Sequence, residues 1–292
     1  MKQFLINIKF FILINLSIIV LLVSGTYFIP SSVSFRIPDD RTILIAGDSL
    51  TARAIDDNIF SCAINISQPG TAYLYTYVKL RKFLDVNPHI NQVILSFHGD
   101  SIQKSKDKWT IGSKNILTFV PTHFSLFTRD EIFLLIKKAS FFSAVTKSPI
   151  RSIIATFKMV TGRNGTYKDL NIGGYMKLFG EYLEKDLESK RNIEEEKDEY
   201  SQYQLDYLLK IVELCQEKNI KLVLFRSPMY NSEKYGSKIL LMNCYDNYFS
   251  GIKYLDFSDF VLPENGYYDI SHLNHKGAEI FSQYLENNYF FQ

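Results

Sequence analysis

Cysteine is scarce in this 292-residue chain: only Cys62, Cys215 and Cys244 occur. None stands in a CxxC or other metal-ligand spacing, which leaves ordinary thiols rather than a disulfide framework or a metal site. An excess of charge of one sign is also missing. Lys and Arg total 33 against 31 Asp and Glu, so no electrostatic case exists for a nucleic-acid partner. There is no GxGxxG and no GxxxxGK[ST] loop, hence no phosphate cradle for a nucleotide. No cofactor and no metal are expected, and no internal repeat is visible.

What is present supports a substantial core. Apolar residues make up 46% and charged residues 22%, enough for one large domain or two small ones. Aromatics are abundant, with 19 Tyr and 23 Phe. They fill a core or line a sugar-binding groove, and composition does not separate the two.

The first thirty residues differ from the rest. Lys2 and Lys9 precede a charge-free run from Phe10 to Ile29, about the twenty residues a helix needs to span a bilayer. Lysines ahead of the run place the N-terminus on the cytoplasmic side and the remainder outside the cytoplasm. A signal peptide is the competing reading, but the run exceeds the usual signal core of about 7–15 residues. The expectation is a membrane anchor over residues 1–30, periplasmic or cell-surface placement of the rest, a linker over 31–41 and one domain over 42–292.

Short apolar runs predict strands at 42–46, near 65, and at 92–97, 221–225 and 253–257. Helical patterns fall between them, near 51, at 73–84, within 181–219 and at 278–287. Strands alternating with helices imply parallel crossovers and an α/β sheet. From residue 101 to about 180 the periodicity weakens, with helical signals at 133–136 and 152–155. This part reads as a mostly helical insertion, extending toward 200 through a highly charged stretch. In an open sheet of this kind ligands gather at the carboxyl ends of the strands.

Two polar stretches carry chemistry. The first strand stops at Gly47-Asp48-Ser49-Leu50, a turn that either caps a helix or holds Ser49 up as a nucleophile. A serine hydroxyl needs an adjacent base. Near the C-terminus, Asp269 and His272 stand three apart, a spacing that lets the carboxylate fix the imidazole tautomer while the other ring nitrogen accepts a proton. His275 is the rival base, six past Asp269. His89 and His123 have no partner by sequence and read as surface or core residues.

GDSL at Gly47–Leu50, Gly70 after the second strand, and DxxH at Asp269–His272 together resemble the SGNH, or GDSL, hydrolase superfamily. The resemblance implies a flavodoxin-like three-layer sandwich with about five parallel strands. It also implies Ser49 as nucleophile, His272 as base, Asp269 as its orienter, and the Ser49 and Gly70 amides as oxyanion donors. The family's third donor is an asparagine in a GxND block; here the turn reads Phe97-His98-Gly99-Asp100. His98, the Gly99 amide or Ser101 are the candidate replacements. The altered block and the DISHLNHKGA ending resemble divergent, membrane-anchored cell-envelope members of the superfamily. By that resemblance the activity is ester hydrolysis or O-acyl transfer on an acylated, in the first place acetylated, envelope glycan or exported carbohydrate. The alternatives are a lipid esterase using the same triad and a non-catalytic glycan-binding protein.

Overall fold

In a computed structural model of the chain, residues 2–31, 35–146, 172–181, 199–230 and 237–288 are described. The strands are β1 (Ile43–Ala46), β2 (Ala63–Asn65), β3 (Gln92–Ser96), β4 (Lys221–Arg226) and β5 (Lys253–Asp256). In chain order the helices are α1 (Lys2–Ser31), α2 (Ser49–Ala54), α3 (Tyr73–Val86), α4 (Gly99–Ile102) and α5 (Asp107–Ile111). They continue as α6 (Ser113–His123), α7 (Arg129–Leu135), α8 (Gln202–Glu217), α9 (Lys238–Cys244) and α10 (His275–Asn288). The helical signal at 152–155 and most of the charged stretch 181–200 lie outside the described residues.

All strand pairs are parallel, in the order β2-β1-β3-β4-β5. This is the flavodoxin-like order, whose switch point lies between β1 and β3. The three central strands carry near-continuous aliphatic runs, and every residue of β1 and β3 is buried, as expected where helices cover both faces of a sheet.

The chain divides into two compact units. One comprises Met1–Phe35 with Ile116–Asn171, the other Arg36–Asn115 with Ile172–Gln292. The second unit holds the whole sheet. One of its cores joins Ile43 and Ile45 of β1 to Ile94, Phe225, Phe281 and Leu285. Phe257 and Phe260 pack against this core, with ring centroids 5.3 and 5.2 Å from Phe281. Here at least, the abundant aromatics fill interior space rather than a groove. The three cysteines are free, with Cys215 and Cys244 buried.

In the first unit, α1 contains the charge-free run. Its apolar side chains are exposed wherever they are described, from Phe4 through Phe10, Phe11 and Leu13 to Val20. Those from residue 21 onward lie outside the described set. Among the described residues no helix is long and apolar enough to cross a membrane.

Candidate active site

The site begins with strand register. Ala46 pairs with Leu95, so Gly47 arrives beside Ser96 at the carboxyl ends of β1 and β3. A Cβ on Gly47 would lie 2.2 Å from the Ser96 Cβ, and its φ of +151° is strained for any other residue. Glycine is therefore what lets the chain turn here. Asp48 follows as the N-cap of α2, its Oδ1 accepting the Leu50 amide at 3.0 Å. Ser49 is the first residue of α2, so its amide has no intrahelical acceptor. Asn65, fully buried at the end of β2, holds the far end of α2 by donating to the Thr51 and Ile55 carbonyls at 3.0 and 2.8 Å.

The C-terminal loop is built just as locally. Tyr268 N–H donates to the His272 carbonyl at 2.9 Å, and Tyr267 bridges Leu273. Asn274, 1% exposed, closes the loop by donating to the Asn265 carbonyl at 2.7 Å. It also caps α10 by accepting from Lys276 and Gly277 amides at 3.0 and 3.2 Å. Within this loop the Asp269 carboxylate accepts from the Ser271 amide (2.8 Å), the Ser271 hydroxyl (2.9 Å) and the His272 amide (2.9 Å). Its two oxygens lie 2.9 and 2.8 Å from His272 Nδ1. Burial pushes the Asp269 pKa up, but the His272 and Ser271 contacts outweigh it and hold the carboxyl well below the usual range.

These two pieces, 223 residues apart in sequence, meet. Ser49 Oγ lies 2.9 Å from His272 Nε2. With Nδ1 engaged by Asp269, Nε2 is the nitrogen left to take the serine proton. His275 is directed elsewhere: its Nδ1 lies 3.2 Å from the Leu178 carbonyl and its ring 4.9 Å from that of Phe179. His89 pairs with Asp39 at 3.5 Å. His123 is buried, its Nδ1 2.9 Å from both Thr122 Oγ1 and the Phe119 carbonyl.

The turn after β3 corrects one expectation. His98 does not offer its side chain as a replacement for the missing asparagine. It is fully buried, and its Nε2 lies 2.6 Å from Asp48 Oδ2. Burial raises the Asp48 pKa, yet the charge and hydrogen bond of His98, the Leu50 amide and Lys106 bring it down to about 2. Ser96 Oγ adds a 3.3 Å bond to Asp48 Oδ1. His98 thus braces the residue that caps the serine's helix. Gly99 stands where it does because a Cβ would lie 2.6 Å from the Ser237 carbonyl oxygen, so no asparagine side chain fits at that position. Ser101 Oγ donates to the His98 carbonyl at 2.7 Å. Gly70 has a φ of +71°, and its carbonyl accepts from Asn115 Nδ2 at 3.1 Å.

Sequence reasoning missed three contributors. Asp48–His98 is invisible without the β1–β3 pairing. Lys79, in the stretch 73–84 that reads only as a helix, is completely buried and donates to the carbonyls of Ile66 and Ile172, both at 2.8 Å. Its burial drives the pKa down to about 7. Residues 172–181 carry no periodic signal because their backbone bonds go outward. Gly174 N–H donates to Ser67, Met176 N–H to Ala52, and the Leu178 carbonyl accepts from His275. The segment therefore ties the loop after β2, the helix of Ser49 and the start of α10 together.

A cavity of about 320 Å³, its open mouth included, adjoins Asp48. It sits at the switch point between β1 and β3, with walls that include Asp48, Thr76, Ser96, Ser101, Lys106 and Trp109.

One protein-family model, which carries no description, matches residues 179–290, less than half of the chain. No curated protein matches significantly. Among solved structures, the chain is similar to a Bacteroides fragilis NCTC 9343 protein assigned as an acylhydrolase. Identity is 11%, coverage 90% of this chain and 93% of that one, and the TM-score 0.39. It is also similar to a GDSL-like lipase of Bacteroides thetaiotaomicron VPI-5482, with 10% identity, coverage of 88% and 91%, and a TM-score of 0.40. Likenesses of this size leave the activity to be read from the site itself.

Proposed function

We propose that the chain is a serine esterase or O-acyltransferase, and the observation that carries this reading is the Ser49–His272–Asp269 relay. The Ser49 hydroxyl attacks an acyl carbonyl while His272 Nε2 takes its proton. The new bond joins Ser49 Oγ to the acyl carbon. The bond to the alcohol oxygen breaks, and His272 returns the proton to that oxygen. A second hydroxyl, from water or an acceptor alcohol, then repeats the exchange and frees Ser49. Asp269 stays ionised and holds the imidazole. The Ser49 and Gly70 amides serve the oxyanion, with the Gly99 amide as the candidate third donor.

The relay favours catalysis over a purely glycan-binding role, since binding requires no hydroxyl set on an imidazole. The substrate in this reading is an O-acylated, and specifically acetylated, envelope glycan or other exported carbohydrate. The apolar side chains exposed along α1 support an N-terminal anchor in a membrane, with the site on the extracytoplasmic side.

The test is turnover of p-nitrophenyl acetate by the full chain, with and without a saccharide acceptor. Release of p-nitrophenol that disappears in Ser49→Ala supports the reading. A rate that rises with acceptor, together with appearance of the acylated saccharide, selects transfer. Turnover that survives Ser49→Ala contradicts it.

A further inference from the structure

Helix α2 begins with Ser49 and carries one further residue that reaches solvent. Leu50, Thr51, Ala52 and Ala54 are buried; Ser49 and Arg53 are not. These two stand four apart, so they share one face of the helix, with Cβ atoms about 6 Å apart. Side chains on a helix lean toward its N-terminus. The Arg53 side chain therefore sets out toward the turn that presents Ser49.

The ordinary tasks of an arginine in this position are not what Arg53 does. A basic residue in a helix's last turn commonly bonds to the last carbonyls. Here the Ala52 carbonyl accepts the Met176 amide at 2.7 Å. The Thr51 carbonyl accepts the Ile55 amide at 3.3 Å and Asn65 Nδ2 at 3.0 Å. Asp56, three residues on, is the nearest carboxylate in sequence, and its Oδ1 accepts the Asn58 amide and Nδ2 at 3.0 and 2.7 Å. Among the described residues Arg53 has no ion-pair partner. Its Nε is closed off from water and makes no hydrogen bond. A shielded N–H without an acceptor is an exception in folded proteins and marks a place where a partner is missing. A guanidinium is always charged, and its planar fork of donors matches a carboxylate or a phosphate.

Resting on the serine-hydrolase reading, we infer that Arg53 is a specificity-determining residue that binds an anionic group of the substrate. The acyl group in that reading is acetyl, which carries no charge, so the anion sits on the carbohydrate. The substrate class is an O-acetylated acidic glycan, whose charge is a carboxylate or a phosphate. Ser49 takes the acetyl group, and Arg53 selects the sugar that bears it.

The experiment uses the full chain and three aryl acetates that differ only at ring position four: methyl 4-acetoxybenzoate, 4-acetoxybenzoate and 4-acetoxyphenyl phosphate. The readout is first-turnover release of the phenol, as a maximal rate and a half-saturating concentration, which reports acylation of Ser49 whichever acceptor follows. The preference is the ratio of these two for an anionic ester, divided by the same ratio for the neutral one. Leaving-group chemistry is the same in every variant, and a loss of folded protein cancels, so a change between variants reads Arg53 alone. In Arg53→Gln the preference for at least one anionic ester should fall by about ten- to a hundredfold, as the loss of a charge-assisted hydrogen bond allows. The change should lie in the half-saturating concentration. Arg53→Lys, which keeps the charge, should retain part of the preference. The ester whose preference falls further distinguishes carboxylate from phosphate. Preferences equal in wild type and Arg53→Gln, or a rate loss common to all three esters, overturn the anion site and leave the serine hydrolase standing. No release from any ester overturns the inference, and uptake of a fluorophosphonate by Ser49 then decides whether the serine-hydrolase reading falls with it.

Discussion

Two carboxylate–imidazole pairs flank Ser49, and their surroundings give them opposite tasks. In Asp48–His98 the imidazole is sealed: His98 is fully buried, and it approaches the carboxylate of Asp48, 12% exposed, to 2.6 Å. Asp269–His272 is partly open, with side-chain exposures of 17% and 15%, and its free imidazole nitrogen faces a hydroxyl at 2.9 Å. One pair fixes a helix cap; the other can move a proton. A histidine beside an aspartate is therefore not by itself a catalytic base. Solvent access and what the imidazole meets next decide the role.

The largest break in this comparison is expected from the open pair. Asp269→Asn keeps the shape but removes the charge that holds the His272 tautomer, and should lower kcat by about 10⁴-fold. Circular dichroism and the thermal midpoint should change little. A loss below tenfold would reduce Asp269 to a loop-building residue.

The sealed pair should respond in the opposite way. His98→Ala leaves a buried carboxylate without its main partner, a change that costs about 3 kcal/mol or more in buried pairs. The thermal midpoint should fall by several degrees, while the activity of the remaining folded enzyme drops far less than in Asp269→Asn. The sign with pH follows from Asp48. Its folded pKa of about 2 lies below the ordinary 3.8. The stability it adds is therefore present above about pH 4 and is lost as pH falls toward 2. Acid titration of unfolding, wild type against His98→Ala, should show this part of the acid limb weakened in the variant.

The comparison also marks the boundary of what sequence can reveal. The strands were legible because β1, β3 and β4 are apolar runs bounded by turns. Ser49, Asp269 and His272 were legible because GDSL ends a strand and DxxH precedes the last helix. His98 was singled out but given the wrong task, since its partner lies 50 residues away and is delivered only by the pairing of β1 with β3. Lys79 was hidden for a related reason. Its two shortest bonds, at 2.8 Å, go to backbone carbonyls of two distant segments, and a carbonyl leaves no mark on a sequence. Residues 172–181 form neither helix nor strand, so no period could announce them.

The smallest predicted effect belongs to Lys79, a buried cation that stands apart from both pairs. Its pKa falls to about 7 in the fold against the ordinary 10.5. Between those values the unfolded chain binds more protons, so this residue makes stability rise with pH from about 7 to 10.5. Lys79→Met should flatten that rise in denaturant titrations, whatever its effect on absolute stability. An unchanged slope would mean that the buried ammonium keeps an ordinary affinity for its proton.

The central claim is that the open pair activates Ser49, and a fluorophosphonate tests it most directly. The full chain is treated with the probe and the adduct is located by peptide mass mapping, in wild type, His272→Ala and His98→Ala. The account predicts one adduct, on Ser49, formed rapidly in wild type and in folded His98→Ala and at least about 10³-fold more slowly in His272→Ala. An adduct on another residue, or equal labelling rates with and without the His272 imidazole, would contradict it.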